Sequence, residues 1–479
     1  MTAQPIGQDQ SADRLSSVFR AQRIAFEAQR YPDAATRIER IKAVKQALLD
    51  NRDRIIAALH QDFGNRAPEV TRLAEIGGST GNLDYAARHV TRWMKPRSRG
   101  VSMWFMPGKN QVIPQPKGVI GIVAPWNYPI NLAVAPLAAA LAAGNRVMIK
   151  MSEFTPASAA LLKELMANLF DEDLVAVFDG GPDEAAAFTQ LAFDHLLFTG
   201  STGVGKKVMA AAAQNLTPVT LELGGKSPVI IDQDYNLSEA ANRILWGKTF
   251  NAGQTCVAPD YALVPKGRTD QFVAAMDSHY FGHFPHGASD DSYTSIIDQR
   301  NYERLCDLVE NARAAGAQIH EIEARTNEHT VARKFPLTLV INPPADSRIM
   351  REEIFGPVLP VLEHEGRTDA VNRVNQGPRP LALYYFGKDG AAADEVLKQS
   401  HSGGVTTNDV MLQYLQADLP FGGTGDSGFG AYHGKEGFET FSHMKAVFHQ
   451  RGFGSFTGLK MLYPPYGGLA RRLITMMGG

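Results

Sequence analysis

The stretch FNAGQTCVAPD, residues 250 to 260, carries one of only two cysteines in a chain of 479 residues. A cysteine serves as a nucleophile where its thiolate can be reached, and otherwise fills space as a small buried apolar residue. The second cysteine provides a contrast. In NYERLCDLVENARAAG, Tyr302, Leu305, Cys306 and Val309 recur at helical spacing on one face, so Cys306 reads as a core residue. Cys256 has no such periodicity: its neighbours NAGQT are polar or flexible and suit a loop that a substrate can approach.

Other residues offer complementary chemistry, each with a plainer reading beside it. Glu222, in LELGGKSP, precedes Gly224 and Gly225, which permit close backbone approach. A carboxylate at the end of a strand can hold a water or take a proton from a thiol, or it can be a solvated strand-end charge. It also lies 222 − 200 = 22 residues after Gly200, where the common dinucleotide fold keeps a ribose-binding acid; the surrounding LELGGKSP argues against that use. The turn FTGSTGVGKKVMAAA runs from strand to helix and can face a pyrophosphate. Its Gly200, Gly203 and Gly205 depart from the G-x-G-x-x-G spacing, so a plain tight turn stays open. Asn127 in PWNYP can donate to a developing oxyanion or form an Asx turn. Lys150 and Glu153 in IKMSEFTP can bond a ribose or be solvated loop charges.

These residues need a large scaffold, and the composition provides one. At 44% apolar and 20% charged, a chain this long divides into two or three domains. Its 48 basic and 50 acidic side chains give a net charge of −2, without the basic excess that nucleic acid demands. A small neutral partner is expected. Two cysteines make no disulfide framework, and the opening MTAQPIGQDQSADRL has no apolar signal core, so a reducing, cytoplasmic setting is expected. The run Leu132 to Ala143 is too short for a membrane span and reads as a buried helix closed by Gly144. The final GGLARRLITMMGG is also too short to span and reads as ordinary packing or fraying.

Along the chain, Ser11 to about Lys95 is helical and amphipathic, as in TRIERIKAVKQALLDNRDRIIAALHQD. After Pro96 the Pro- and Gly-rich texture predicts a projecting hairpin. From Gly118 strands and helices alternate, predicting a mainly parallel sheet covered on both faces. A second set, including SPVIID, ALVPKG, TLVINPP and LALYYFG, predicts a second α/β domain after about Leu221.

Together PWNYP, IKMSEFTP, FTGSTGVG, LELGGKSP, FNAGQTC, EEIFGPVLP and PFGGTGDSG resemble, in order and between about residues 118 and 430, the NAD(P)-dependent aldehyde dehydrogenase superfamily. The spacing 256 − 222 = 34 also fits. GQTCVAPDY and GFGAYHGKEGFETFSH resemble its class 3 and coniferyl aldehyde dehydrogenase branch. The resemblance implies a Rossmann-like cofactor domain (1–96 and 117–221), a second α/β catalytic domain (222–405) and a small β oligomerisation element with the C-terminal tail (97–116 and 406–479). It implies a homodimer without a stable membrane anchor, acting on aromatic, coniferyl-type or medium-chain aldehydes.

Carried over position by position, the resemblance makes Cys256 the nucleophile, Glu222 the general base, and Asn127 with the Cys256 N–H the oxyanion hole. Lys150 and Glu153 hold the adenosine ribose, and Gly200, Ser201 and Gly205 form the pyrophosphate turn. Glu353 and Phe355 position the nicotinamide, and Trp126 lines the cleft. NAD is the implied cofactor, with NADP possible, and no metal is required. Thiolate addition, hydride departure and hydrolysis of the thioester by Glu222-activated water yield the carboxylic acid. A CoA-acylating dehydrogenase and a cysteine-dependent esterase are the alternatives, and a binding protein that kept the fold is a further one. Tyr128, Tyr414 and Phe421 are candidates for an aromatic substrate pocket.

Overall fold

A computed structural model of the chain describes residues 8–451 and 462–478. The polar opening residues 1–7 and the stretch 452–461 lie outside them. The fold is α/β, with three sheets among the described residues. A six-stranded sheet runs in the order Gly428–Phe429, Val219–Leu223, His195–Gly200, Val119–Val123, Arg146–Lys150, Val175–Phe178. All its pairs are parallel except the first. Arg146–Lys150 and Val175–Phe178 are buried at every position, which is what a parallel strand covered by helices on both faces requires.

The helix Asn131–Ala143 packs in the core, every one of its residues buried. Its Ala-rich sequence lets neighbouring elements approach closely, and Gly144 ends it in a left-handed conformation. The amphipathic helices Ala34–Asp50, Arg52–Phe63 and Gly78–Trp93 cover this region, with a π-helical turn at Thr71–Gly77 between the last two.

After Leu223 the chain crosses to a seven-stranded sheet in the order Gln318–Glu321, Thr338–Ile341, Val358–His364, Tyr261–Pro265, Pro228–Ile231, Ala382–Phe386, Gly404–Thr407. Only its first pair is antiparallel. The third sheet is antiparallel and joins Arg97–Arg99, Lys109–Pro116 and Ser442–His449. The chain beyond residue 403 is therefore shared among all three sheets. Its short strand Gly428–Phe429 returns to the first sheet, where Gly428 pairs with Glu222.

One expectation needs correction. Tyr302, Leu305 and Val309 are buried on the helix Gln299–Ala314, but Cys306 is only half-buried at the edge of that face, with Arg325 Nη1 3.2 Å from its sulfur. Among the described residues no helix is long and apolar enough to cross a membrane. The chain's last described element is the helix Gly468–Gly478.

Gly144 illustrates how tightly the central helix is seated. Its φ is +92°, and a Cβ there would stand 2.6 Å from Cζ of Arg37. Arg37 is buried and donates to Pro32 O and Ala142 O at 2.9 Å each. Gly144→Ala should lower stability by about 1–2 kcal/mol from the left-handed backbone alone, plus the cost of displacing Arg37. A downward shift of the urea midpoint checks this.

Candidate active site

The helix Leu237–Thr249, capped by the Asn236 side chain on Glu239 N (3.1 Å), delivers the chain into a tight turn at Phe250–Gly253. Asn251, Ala252 and Gly253 all have positive φ (52°, 51° and 70°). Two non-glycine residues in this region cost energy, so the surroundings must hold them there. Gln254 does so. Fully buried, it donates from Nε2 to Asn251 O (3.0 Å) and Ser295 O (3.1 Å), and its Oε1 accepts from Ile297 N (2.9 Å). Thr255 Oγ1 is 2.6 Å from the Tyr128 hydroxyl, and the Tyr384 hydroxyl donates to Val257 O. Cys256 is thus fixed on both sides.

The turn after strand Val119–Val123 brings Asn127 to the same place. Its Nδ2 donates to Gln254 O at 3.1 Å, which sets the rotamer of the amide and uses one of its two N–H groups. Glu222 comes from the strand Val219–Leu223 and is 2% exposed. Its partner across the strand pair is Gly428. Neither carboxyl oxygen has a protein hydrogen-bond partner among the described residues. Burial drives its pKa well above the ordinary carboxylate value.

Cys256 is half-buried, and burial, Glu353 and Glu222 push its thiol up to about 12. The N–H groups of Cys256 and Val257 act in the opposite direction and are outweighed. Glu353 lies on the facing segment and is itself pushed up to about 8 by burial and by Asp260. That segment is firmly held: Arg304 Nη2 donates to Ile354 O (2.6 Å), Asp260 Oδ1 accepts from Ile354 N (2.9 Å), and Lys226 pairs with Asp260 and donates to Ile349 O (2.7 Å). Phe355 has φ +50° and meets the Trp126 ring edge-to-face at 5.3 Å.

A cleft of about 910 Å³ brings together Trp126, Asn127, Glu222, Cys256, Glu353 and Phe355 at one end. Lys150, Glu153, Gly200 and Ser201 line it further along. Lys150 is 1% exposed and donates to Met151 O (2.6 Å) and Gly180 O (2.5 Å), and burial lowers its pKa. Ser201 caps the helix Thr202–Ala213 through Val204 N (3.4 Å). Gly205 lies outside the cleft lining: it is buried one turn into that helix, where a Cβ would stand 2.7 Å from Leu223 Cδ2. Its glycine serves close helix-to-strand packing.

A narrow apolar cavity of about 40 Å³ also reaches Cys256, lined by Tyr128, Trp246, Phe250, Met411 and Tyr414 among others. Of the three expected aromatic residues, Tyr128 and Tyr414 lie here, whereas Phe421 lines the larger cleft. Trp246 and Phe250 were not foreseen, although they stand four apart just before the cysteine loop, a spacing that puts them on one helical face. Arg304, also unforeseen, lines the larger cleft beside Glu353; nothing in its local sequence marks it.

The aldehyde dehydrogenase family profile matches residues 3–447. A probable coniferyl aldehyde dehydrogenase of Pseudomonas aeruginosa is 50% identical over 465 residues, covering 97% of this chain and 96% of that protein. The coniferyl aldehyde dehydrogenase of a Pseudomonas species is 42% identical over 475 residues, covering 99% and 97%. Among solved structures, a substrate-bound AldH of Staphylococcus aureus superposes with a TM-score of 0.90 at 35% identity, covering 97% of this chain and 99% of that one. A Mycobacterium tuberculosis aldehyde dehydrogenase complexed with NAD+ gives 0.83 at 28%, covering 92% and 91%. With a matched family profile spanning nearly its whole length and full-length relatives at this identity, the chain belongs to the aldehyde dehydrogenase family.

Proposed function

We propose that this enzyme oxidises an aromatic, coniferyl-type aldehyde to the carboxylic acid with NAD as hydride acceptor, through a cysteine thioester hydrolysed by water. The observation that carries the reading is the meeting of cleft and apolar cavity at Cys256, with Asn127 and Glu222 lining the same end of the cleft. The names of the relatives support the coniferyl substrate, and Tyr128, Trp246 and Tyr414 in the cavity fit a planar ring.

The cleft fits a dinucleotide. Ser201 opens a helix at the strand end, where amide N–H groups suit phosphate. At Gly224 a Cβ would come within 1.9 Å of Glu353 Oε2, so only glycine lets the backbone pass beneath that carboxyl. Glu153 on the cleft wall supports NAD over NADP, because its carboxylate can bond a 2′-hydroxyl and repels a 2′-phosphate. Lys150, Glu153 and Ser201 would hold the adenosine end, and Glu353, Phe355 and Trp126 the nicotinamide end. Bound there, the dinucleotide supplies the acceptor for the hydride that leaves the substrate carbon.

The chain's own residues supply the rest. The Cys256 thiol loses its proton to water in the cleft, and the thiolate sulfur bonds to the aldehyde carbon as the C=O π pair moves onto oxygen. The carbonyl oxygen, now anionic, takes the second N–H of Asn127 and the main-chain N–H of Cys256; removing one such donor typically costs about 2.7–4 kcal/mol of barrier. Once the carbon is at thioester oxidation level, Glu222 accepts a proton from a water as the water's oxygen bonds to that carbon and the sulfur leaves. Glu222 must be ionised for this, and its burial works against the ionised form.

We further propose that the six-stranded sheet with the N-terminal helices forms the cofactor domain and the seven-stranded sheet the catalytic domain. The three-stranded sheet would be a dimer arm; the loop between its first two strands exposes Met103 and Met106 (77% and 63%), which supports that assignment. The proposed compartment is the cytoplasm.

Two measurements test the chemistry. Because anionic Glu353 raises the Cys256 thiol, Glu353→Gln should speed iodoacetamide labelling of Cys256 at pH 9, and labelling of the parent should still be rising steeply above that pH. Coniferyl aldehyde, benzaldehyde and octanal, each with NAD or NADP and no CoA, should be oxidised in that order of preference. Cys256→Ala should abolish turnover, by at least about 10³-fold. Glu222→Gln should keep a single burst of reduced nicotinamide and lose steady turnover by about 10²-fold or more. Turnover restored only by CoA would instead identify an acylating dehydrogenase.

A further inference from the structure

Beneath the Asn127 turn lies an ion pair that the chemistry above does not use. Arg66 and Glu75 are both 0% exposed, with Nη1 and Oε1 3.2 Å apart. Each also binds the turn. Arg66 Nη1 donates to the main-chain oxygen of Asn127 at 3.0 Å, and Glu75 Oε2 accepts from Asn131 N at 2.7 Å. The guanidinium lies 4.9 Å from the centre of the Tyr128 ring and 4.8 Å from that of Phe63. Residues 127, 128 and 131 are thus gripped from one side by a single pair, and Tyr128 passes the contact on to Thr255, the neighbour of Cys256.

Stability does not explain this arrangement. Burying two charges costs several kcal/mol per ion before their attraction is counted, and an apolar pair of equal volume is often no worse. Nor is the pair optimised: Glu75 Oε1 and Arg66 Nε and Nη2 have no protein hydrogen-bond partner among the described residues, so the contact between the two is an ion pair without a hydrogen bond. What the pair provides beyond apolar packing is a charge-assisted hydrogen bond from each partner to the backbone of the turn, at Asn127 O and Asn131 N. An oxyanion donor must be held within about 0.5 Å and 10–20° of its working position. The Asn127 side chain is tied to Gln254 O, but its backbone would be free to rotate without a partner for its carbonyl. Asn251 Nδ2, at 3.3 Å from that carbonyl, is the weaker of the two donors.

We propose that Arg66, clamped by Glu75, is a positioning residue that fixes the peptide of Asn127 and so aims its side-chain amide at the substrate oxygen. The inference rests on the oxyanion role given to Asn127 above. Neither Arg66 nor Glu75 touches the substrate; the pair acts through the backbone.

Single-turnover formation of reduced nicotinamide tests it in Arg66→Lys, Glu75→Gln, Asn127→Ala and the Arg66→Lys/Asn127→Ala double variant, alongside an Arg66→Met/Glu75→Leu variant that keeps volume and removes both charges. The expected result is a roughly tenfold to hundredfold slower rate in each Arg66 or Glu75 variant, with aldehyde KM, NAD affinity and the rate of Cys256 alkylation within about twofold of the parent. Arg66→Lys should subtract nothing further once Asn127 is alanine. The Arg66→Met/Glu75→Leu variant should unfold at the parent's temperature or above, yet stay slow. If Asn127→Ala is slow but the Arg66→Lys loss multiplies with it, or if the charge-free variant runs at the parental rate, the positioning role is overturned while the oxyanion reading stands. An Asn127→Ala variant as fast as the parent removes both. Should Arg66→Lys not fold, the isosteric Glu75→Gln, combined with Asn127→Ala, decides by the same comparison.

Discussion

One buried amide, that of Gln254, holds the reactive end of the molecule in shape. Its side chain spends both kinds of hydrogen-bonding group on backbone, and its own main-chain oxygen receives the Asn127 amide. A buried amide that is fully engaged is costly to rearrange, because every alternative leaves an unpaired donor or acceptor away from water. That cost holds Asn251 and Ala252 in their left-handed conformations, which alanine would not select on its own. The cysteine, the turn before it and the amide donor from the other sheet therefore share one anchor. Loosening it would misplace all three together.

The electrostatics at rest follow from the same enclosure. Glu222, Cys256 and Glu353 line one cleft, and burial drives each toward its neutral form. A cation placed among them would reverse this, but Lys226 is committed to Asp260, and Arg304 donates to the backbone of residues 353 and 354. Two carboxyls and a thiol can be kept close without mutual repulsion only while they hold their protons.

Much of this was legible in the sequence, for identifiable reasons. The alternation of buried β-branched runs with Ala-rich helical stretches gives the two parallel sheets, and Leu132 to Ala143 followed by Gly144 gives the central helix with its stop. Sequence motifs also brought Cys256, Glu222, Asn127, Lys150 and Glu153 to attention, and all five line one cleft. What stayed hidden are matters of pairing at long range. Nothing in GFG at 428–430 says that it will lie against residues 221 and 222, and nothing in a helical period tells a fully covered face from its edge, which is why Cys306 is half-buried beside Arg325. Gly205 was grouped with the turn glycines because glycine is permissive in both settings, whereas its neighbour Leu223 makes it a packing residue. Arg66 lies in the loop after the helix Arg52–Phe63 and Glu75 in the π-helical turn Thr71–Gly77, and within a stretch of amphipathic helical pattern such charges are ordinarily read as solvent-facing.

The strand Gly428–Phe429 shows why long-range pairing matters to chemistry as well as to fold. Glu222 stands at the end of one sheet, and the chain leaves that sheet immediately afterwards, so without a return strand its edge would be open. The return occurs some two hundred residues later, and at the position opposite the carboxyl it places a glycine with φ +111°. A side chain there would collide with the Leu221 carbonyl, 1.8 Å from the nearest possible Cβ. The glycine lets the edge close against the backbone of residues 221 to 223. The second half of the chain, which builds the Cys256 loop, therefore also closes the sheet edge that carries Glu222 from the first.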